Sequence, residues 1–221
     1  MLRRRSSRVP PALQTATLRN ASARLAVFCS GQGTNLQAIL DATRAGRLRA
    51  RVAVVLSDRP DAKALARARR AGVEACYVDP HAYPTRARYE RALIALLEAR
   101  GVNLVCLAGF MRILSPVFVH HYRLRILNIH PALLPAFPGA HAVRDALAWG
   151  ARVTGVTIHF VDDQVDHGPI ILQEAIAMRP GETEQSLLAR VHQLEHRLYP
   201  QAIGLVLAGR VKVVGRTVQI R

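Results

Sequence analysis

Short apolar runs alternate with amphipathic stretches between residues 25 and 129. Five of these runs are almost continuously apolar and predict strands at residues 25–29, 52–56, 75–78, 102–108 and 125–129. The stretches between them predict helices at residues 34–45, 61–71 and 85–100. Because apolar strands separated by helices form a parallel sheet that is covered on both faces, we predict a doubly wound α/β fold. Such sheets bind their ligands at the carboxyl ends of the strands.

The pattern changes after residue 129. Residues 131–139 contain three prolines and a glycine, which predict a stiff, irregular loop. Beyond this loop we predict a helix near residues 141–149, strands at 154–161 and 169–176, and a long helix over 182–207 that is interrupted or ended near Pro200. Two short strands, 211–214 and 217–220, predict an edge hairpin. The expected sheet is therefore mostly parallel, with antiparallel edge strands.

Residues 1–23 differ in composition from the rest of the chain. They are rich in Arg, Ser, Ala and Pro, and the first 24 residues contain six arginines and no acidic residue. The stretch lacks the apolar run that a signal peptide needs. We therefore predict a disordered basic tail over residues 1–23 and one folded domain over residues 24–221.

The chain carries 31 basic and 15 acidic residues, a formal net charge of +16. Such a charge suits nucleic acid or small anionic substrates, and a genome-wide preference for arginine would produce it as well. Basic and aromatic residues are not interleaved in a stacking pattern, so a nucleic-acid partner is the minor alternative. No apolar run approaches the roughly 20 residues that cross a bilayer, and we expect no membrane association.

The three cysteines, Cys29, Cys76 and Cys106, each lie in a short apolar run. An odd number of cysteines in such positions predicts reduced thiols in a cytoplasmic protein rather than a disulfide framework. The histidines do not show the spacing of a helix-borne zinc site, and we predict no metal.

A glycine-containing turn follows the first predicted strand and opens the first helix. It reads Ser-Gly-Gln-Gly-Thr-Asn over residues 30–35. Its glycines let backbone N–H groups approach an anion at the positive end of a helix, and Thr34 and Asn35 add side-chain donors. The alternative is a plain strand-to-helix turn capped by Thr34. A dinucleotide site is disfavoured, because Leu36 replaces the third glycine of that fingerprint.

Asn128 and His130 lie two residues apart at the end of a predicted strand and therefore point to the same face. Pro131 ends the strand and holds both polar groups at its rim. The pair is a candidate acid–base group beside a candidate oxyanion donor. Asp166 precedes His-Gly-Pro in a tight loop, and its carboxylate could be directed at His130 or at His159. A carboxylate in such a place favours the charged imidazole and sets its tautomer.

Four segments carry a resemblance to a known family. They are SGQGTNLQAI at residues 30–39, LAGFMRILS at 107–115, NIHPALLPAFPG at 128–139 and DHGPI at 166–170. Over about residues 24–209 the chain resembles the folate-dependent phosphoribosylglycinamide formyltransferases of purine synthesis. The resemblance implies a Rossmann-like formyltransferase fold. It also implies transfer of the formyl group of 10-formyltetrahydrofolate to the amine of 5-phosphoribosylglycinamide, giving N-formylglycinamide ribonucleotide and tetrahydrofolate.

The resemblance assigns roles to three groups of residues. In the catalytic group, Asn128 and His130 stabilise the oxyanion of a tetrahedral intermediate, and Asp166 keeps His130 charged. The ribonucleotide group consists of Gly33, Thr34 and Asn35 for the phosphate and Glu195 for the glycinamide portion. The folate group consists of Arg86, Met111, Arg112, Ile113, Leu114, Asn128, Asp162, Val165 and Asp166. The chain departs from the family at His167, where a small residue is common, and at His192, where some relatives have a polar amide.

Three alternatives to this activity are considered. A formyltetrahydrofolate deformylase resembles the same module but has a regulatory domain before the first strand, and a methionyl-tRNA formyltransferase adds a C-terminal domain. We expect the length of the chain to exclude both. A basic nucleic-acid-binding α/β protein would explain the charge but leave Asn128, His130 and Asp166 as coincidence. We expect a cytoplasmic enzyme with two small-molecule substrates, either a monomer or a homodimer.

Overall fold

The computed structural model describes residues 13–14 and 23–221. Its strands are β1 (Leu13–Gln14), β2 (Ala23–Phe28), β3 (Ala50–Ser57), β4 (Glu74–Tyr77), β5 (Leu104–Leu107), β6 (Ile126–His130), β7 (Val153–Phe160), β8 (Ile170–Ala177), β9 (Val211–Val214) and β10 (Thr217–Ile220). Its helices are α1 (Thr34–Arg44), α2 (Lys63–Arg70), α3 (Arg86–Glu98), α4 (Pro116–His121), α5 (Ala142–Trp149) and α6 (Glu184–Leu207).

Seven strands form the central sheet in the order β4-β3-β2-β5-β6-β7-β8. The first five strands in this order are parallel, and β7 and β8 pair antiparallel with their neighbours. The prediction of a mostly parallel, doubly wound sheet with antiparallel edge strands is confirmed. The central parallel strands are apolar in sequence because helices cover both of their faces.

The register of the sheet brings the carboxyl ends of three strands together. Phe28 of β2 is level with Leu107 of β5, and Leu107 is level with Asn128 of β6. The chain extends to one side of β2 through β3 and β4 and then crosses to the other side at β5. A crevice at such a change of direction is where open α/β sheets bind ligands.

Helices cover both faces of the sheet. On one face, Leu36 of α1 and Leu198 of α6 are buried in a cluster with Val27 of β2. On the other face, Phe118 of α4 packs against Phe28 of β2 with ring centroids 5.7 Å apart. Because successive residues of a strand point to opposite faces, the same short run of β2 contributes to both clusters.

The helix α6 continues through Pro200 to its end at residue 207, so the predicted interruption near Pro200 is wrong. Tyr199 and Ala202 on either side of the proline are fully buried. The Tyr199 hydroxyl lies 2.8 Å from the carbonyl oxygen of Leu107 and 3.0 Å from that of Leu127, so it ties α6 to β5 and β6. Packing of both halves on the sheet outweighs the hydrogen bond that proline cannot make.

The short helix α4 has no counterpart among the predicted elements. It has six residues, beginning with Pro116 directly after Ser115. A segment of this length contains too few positions for a helical period to be recognised. The segment 108–115 connects β5 to this helix, so the helix fixes the far end of a segment that is important for the site.

Leu13–Gln14 forms β1, which pairs antiparallel with β9 in a three-stranded sheet of order β1-β9-β10. These two residues belong to the predicted basic tail, and they pair with the edge of β9 that the hairpin leaves available. Ala23, the last residue of the predicted tail, begins β2. Residues 1–12 and 15–22 of that tail lie outside the described residues. Within residues 13–14 and 23–221, no helix is long and apolar enough to cross a membrane.

Candidate active site

A cavity of about 530 Å³ opens at the carboxyl ends of β2, β5 and β6. Cavities of this size hold small molecules in many proteins. The sequence-predicted site residues that line it are Gly33, Thr34, Asn35, Met111, Arg112, Ile113, Leu114, Asn128, His130, Asp162, Val165, Asp166 and Glu195. Arg86 is the one predicted site residue that does not line this cavity.

Asn128, His130 and Asp166 meet at the cavity wall. One carboxylate oxygen of Asp166 lies 3.4 Å from Nδ1 of His130, and the other lies 3.3 Å from the amide nitrogen of Asn128. The side chains of His130 and Asp166 are only 4% and 10% exposed. Shielding from water strengthens the interaction between a carboxylate and an imidazole. These three groups can therefore act together on one bound molecule.

The backbone fixes the direction of Asp166. Its φ of 50° lies in the left-handed region, which Asp tolerates better than most residues. The backbone N–H of Gly139 donates to its carboxylate at 2.8 Å. At Gly168 an added Cβ would lie 1.8 Å from the carbonyl oxygen of Phe160, so this turn requires glycine. Sequence analysis missed Gly139 as a partner, because a backbone donor leaves no signal in residue type.

The ring of His130 is held at both nitrogens. Nε2 lies 2.8 Å from the carbonyl oxygen of Phe137 and donates to it, because a carbonyl can only accept. Nδ1 is then the nitrogen that faces Asp166. Phe137 belongs to the proline-rich loop and has a φ of 50°. The predicted stiff loop thus orients the His130 imidazole through one backbone carbonyl.

His159 joins the cluster from the antiparallel strand β7, where it lies opposite Asn128. Its Nδ1 donates to the carbonyl of Phe160 at 2.7 Å, and its Nε2 lies 3.3 Å from the Asn128 amide nitrogen. Burial lowers the pKa of this imidazole, so it is neutral and Nε2 accepts from Asn128. The same nitrogen lies 3.8 Å from Asp166, farther than His130 does. Of the two histidines considered as partners of Asp166, His130 is therefore the closer.

The glycine-containing turn after β2 opens helix α1. Gly33 precedes the helix with a φ of 70°, and no side chain caps it, so the alternative in which Thr34 caps the helix is wrong. An added Cβ at Gly33 would lie 2.8 Å from Ala64 of α2. Conformation and packing both require glycine at this position. Residues 31–35 line the cavity, and the N–H groups at the start of an 11-residue helix attract anions.

Asn35 and Glu195 form a buried polar pair on the same wall. The amide nitrogen of Asn35 donates to the Glu195 carboxylate at 2.9 Å. Burial raises the pKa of Glu195 to about 7, although the bond from Asn35 opposes the shift. The Asn35 amide oxygen is buried and has no hydrogen-bond partner. His192, which also lines the cavity, has a pKa lowered by burial.

The segment after β5 presents apolar side chains at the cavity. Met111 and Ile113 are 68% and 64% exposed, and Val165 on the facing loop is 50% exposed. Large apolar side chains gathered at the mouth of one cavity indicate a surface that a ligand covers. The segment is anchored through Ser30, whose hydroxyl accepts from the Met111 N–H at 2.9 Å and donates to Asp58 at 2.6 Å.

His167 is integrated into the loop that carries Asp166. Its Nδ1 lies 2.8 Å from a carboxylate oxygen of Asp162. Arg216, at the turn of the β9–β10 hairpin, places one guanidinium nitrogen 2.8 Å from Nε2 of His167 and donates with the other to its carbonyl oxygen at 2.6 Å. His167 therefore ties the loop to the C-terminal hairpin.

Arg86 lies beside the cavity-lining segment. Its Nη2 donates to the carbonyl oxygen of Ile113, and its Nε donates to Glu90 at 3.1 Å. It reaches the site through these contacts, as the first residue of α3. Within the part of the chain that the structure describes, no group of three or more His, Cys, Asp or Glu side chains is placed to hold a metal ion.

The chain is similar to known proteins over most of its length. The chain is 44% identical over 189 residues to the phosphoribosylglycinamide formyltransferase of Escherichia coli (strain K12), which covers 86% of this chain and 89% of that protein. It is also 44% identical over 190 residues to the trifunctional purine biosynthetic protein adenosine-3 of Gallus gallus, but it spans only 19% of that longer protein.

Among solved structures, glycinamide ribonucleotide transformylase 1 from Symbiobacterium toebii superposes with a TM-score of 0.89 at 54% identity, covering 90% of this chain and 94% of that one. The family profile described as formyl transferase matches residues 23–203. The matched residues include every predicted site residue and all seven strands of the central sheet. The chain belongs to the formyl transferase family.

Proposed function

We propose that this protein is a phosphoribosylglycinamide formyltransferase, which transfers the formyl group of 10-formyltetrahydrofolate to the amine of 5-phosphoribosylglycinamide. One observation carries the proposal. The polar atoms of Asn128 and His130 lie 3.3 Å and 3.4 Å from Asp166, on the wall of a cavity that an anion-attracting turn also lines. The Escherichia coli protein, which the chain matches over most of both lengths, bears the name of this activity.

The ribonucleotide is assigned to the wall formed by α1 and α6. Gly33, Thr34 and Asn35 receive its phosphate, because the start of α1 supplies N–H groups and a positive partial charge. Glu195 receives the glycinamide portion. The pKa of Glu195, raised to about 7 by burial, means that a cationic amine nearby would restore its charge and be held by it.

The folate is assigned to the wall formed by residues 111–114 and by the loop 162–166, with Arg86 and Asn128 beside it. The exposed side chains of Met111, Ile113 and Val165 fit this ligand, because a flat aromatic ring would cover them. When bound, the folate supplies a formyl group on nitrogen as the acceptor of the amine's electron pair. Its polar edge is assigned to backbone groups of the same segment other than the Met111 N–H, which donates to Ser30, and the Ile113 carbonyl, which accepts from Arg86.

The catalytic residues act on the charge that develops during transfer. Asn128 and His130 stabilise the oxyanion that forms when the amine attacks the formyl carbon, and His130 donates to it from Nδ1 by giving up its 3.4 Å contact with Asp166. The Asn128 amide donates to the oxyanion by giving up its contact with His159 or Asp166, since these two acceptors use its two hydrogens. Asp166 lies beside the His130 imidazole and helps move a proton from the amine to the leaving nitrogen.

An assay of the purified full-length protein tests the proposal. The protein is mixed with 10-formyltetrahydrofolate and 5-phosphoribosylglycinamide, and the folate absorbance is followed with and without the ribonucleotide. We expect a change that depends on the ribonucleotide and gives one formylated product per folate consumed. An equal rate with water as the only acceptor would identify a deformylase instead. Absence of any change, with salt-sensitive binding to random DNA, would identify a nucleic-acid-binding protein.

The proposal includes a cytoplasmic location and partners limited to the two small-molecule substrates. The free thiols Cys29 and Cys106 support a reducing compartment, because both are buried without forming a disulfide. For the oligomeric state, the proposal includes a monomer or a homodimer.

A further inference from the structure

Glu90 is a buried carboxylate that none of the assigned roles uses. It lies on α3, one turn after Arg86, and is 1% exposed. A carboxylate so far from water persists only if hydrogen bonds or a counter-charge compensate its lost hydration. The hydrogen-bond donors around Glu90 therefore indicate which groups its carboxylate holds in place.

Three donors from two elements converge on Glu90. Arg86 donates from Nε at 3.1 Å, and Ser115 donates from its backbone N–H at 2.7 Å and also from its hydroxyl. Ser115 precedes α4 in the position where a hydroxyl usually caps a helix, yet it makes no capping bond. Its hydroxyl is directed to Glu90 instead.

The same network reaches the segment assigned to the folate. Arg86 donates from Nη2 to the carbonyl oxygen of Ile113, so its guanidinium lies between Glu90 and that segment. Among the described residues, none pairs with Nη1 of Arg86, which leaves this nitrogen for a ligand anion. A guanidinium held at Nε and Nη2 has a defined direction for its remaining donor, whereas an unpaired arginine side chain rotates freely.

We propose that Glu90 is a positioning residue for the formyl donor, which orients the Arg86 guanidinium and fixes the segment 111–115 beside the cavity. This inference rests on the assignment of Arg86 and residues 111–114 to the folate in the proposed function. Glu90 touches neither substrate. It acts because its negative charge holds the positive charge of Arg86 in one place.

Glu90→Gln is the informative variant, because it removes the charge and keeps the shape and one acceptor oxygen. We expect the dissociation constant for 10-formyltetrahydrofolate, titrated by calorimetry, to rise about fivefold, the effect of weakening one charge-assisted hydrogen bond. The dissociation constant for the ribonucleotide and the saturated kcat should stay within about twofold. Glu98→Gln on the same helix is the matched control, and its folate binding should equal that of the wild type.

A double-mutant cycle separates positioning from a general structural role. In an Arg86→Ala background, Glu90→Gln should cause no further loss of folate affinity, because the charge it would orient is gone. An equal loss in both backgrounds, or unchanged folate affinity in Glu90→Gln itself, would overturn the inference. If Glu90→Gln does not fold, the variant Ser115→Ala replaces it, and its dissociation constant for folate should rise about twofold while that for the ribonucleotide stays unchanged.

Failure of the proposed function gives a different result. A wild-type protein that binds 10-formyltetrahydrofolate but transfers nothing would refute the proposed function. The folate affinities of the double-mutant cycle would still test the role of Glu90. A wild type that transfers the formyl group while Glu90→Gln binds folate normally would refute the role of Glu90 alone. A wild type without measurable folate binding would refute both.

Discussion

At the scale of single residues, the site depends on which proton each polar group holds. His130 donates from Nε2 to Phe137 and faces Asp166 with Nδ1, whereas the buried, neutral His159 accepts from Asn128. The two histidines, on adjacent strands, therefore use their second ring nitrogens differently. Both rings donate one N–H to a backbone carbonyl, so the difference lies at the other nitrogen, which faces a carboxylate in His130 and accepts from an amide N–H in His159.

Asp166→Asn should retain the fold and lose most of the transfer activity. The amide oxygen can still accept from Gly139, but the negative charge beside His130 is gone. We expect kcat to fall about 100-fold or more, while the Tm and the ribonucleotide affinity change little. Steady-state kinetics with a thermal melt measure both effects. The exposed residue Asp145 on α5 supplies the control Asp145→Asn, and a kcat equal to the wild type in Asp166→Asn would contradict its role.

At the scale of elements, the loop between β7 and β8 is held by a hairpin that is distant in sequence. Arg216 contacts the ring and the carbonyl oxygen of His167, and His167 contacts Asp162. The loop carries Asp162, Val165 and Asp166, all assigned to the folate. A loop held at one end loses less conformational freedom when a ligand orders the remainder.

Arg216→Ala should therefore weaken folate binding. We expect KM for 10-formyltetrahydrofolate to rise about threefold, since the hydrogen bonds that Arg216 makes to His167 are exposed, while KM for the ribonucleotide stays unchanged. Arg210→Ala is the matched control, because Arg210 contacts the carbonyl oxygen of Arg221 at the chain end instead of the loop. Equal folate KM values for wild type and Arg216→Ala would show that the hairpin does not order the loop.

At the scale of the whole molecule, the buried carboxyl group of Glu195 in the candidate ligand site lowers the stability of the fold near neutral pH. Glu195 is 4% exposed, and burial raises its pKa from 4.5 to about 7. The unfolded chain ionises Glu195 near pH 4.5, whereas the folded chain resists ionisation up to about pH 7. The folded state is thus favoured most below pH 4.5, and this contribution is lost as the pH rises through 7.

Glu195→Gln should remove this dependence, because the amide does not ionise. Between pH 4.5 and pH 8, the free energy of unfolding of the variant should rise relative to that of the wild type by up to about 3 kcal/mol. Urea unfolding of both proteins at several pH values measures the difference. The same variant should bind the ribonucleotide more weakly. Such a result would show that the Glu195 carboxylate, which destabilises the fold, also binds this substrate. A difference that does not vary with pH would contradict the raised pKa.

Residues 1–22 should be dispensable for catalysis. The residues assigned to the substrates and the whole central sheet lie within residues 23–221, and β1 pairs with β9 through two residues only. A protein beginning at residue 23 should keep both KM values and kcat within about twofold, with at most a small fall in Tm from the lost pairing. A large loss of folate affinity would instead assign part of the site to the removed residues.

Much of the fold was predictable because its signals are local. The apolar runs of β2, β3, β5 and β6 are properties of neighbouring residues, and the glycine turn, the Asn128–His130 pair and Asp166 stand out by residue type and position. The path of α6 past Pro200 was not predictable, because burial of Tyr199 and Ala202 decides it. A short helix such as α4 leaves no period to detect.

The amino-acid sequence by itself determined the order of strands and helices, the family, and which polar residues lie at strand ends. These properties follow from periodicity and from residue type, which need no knowledge of distant contacts. Only the tertiary structure decided that His159 supports Asn128, that Gly139 binds Asp166, that Arg216 holds the loop and that Ser115 donates to Glu90. Each of these contacts joins residues from separate elements, and their partners are chosen by packing and register rather than by spacing along the chain.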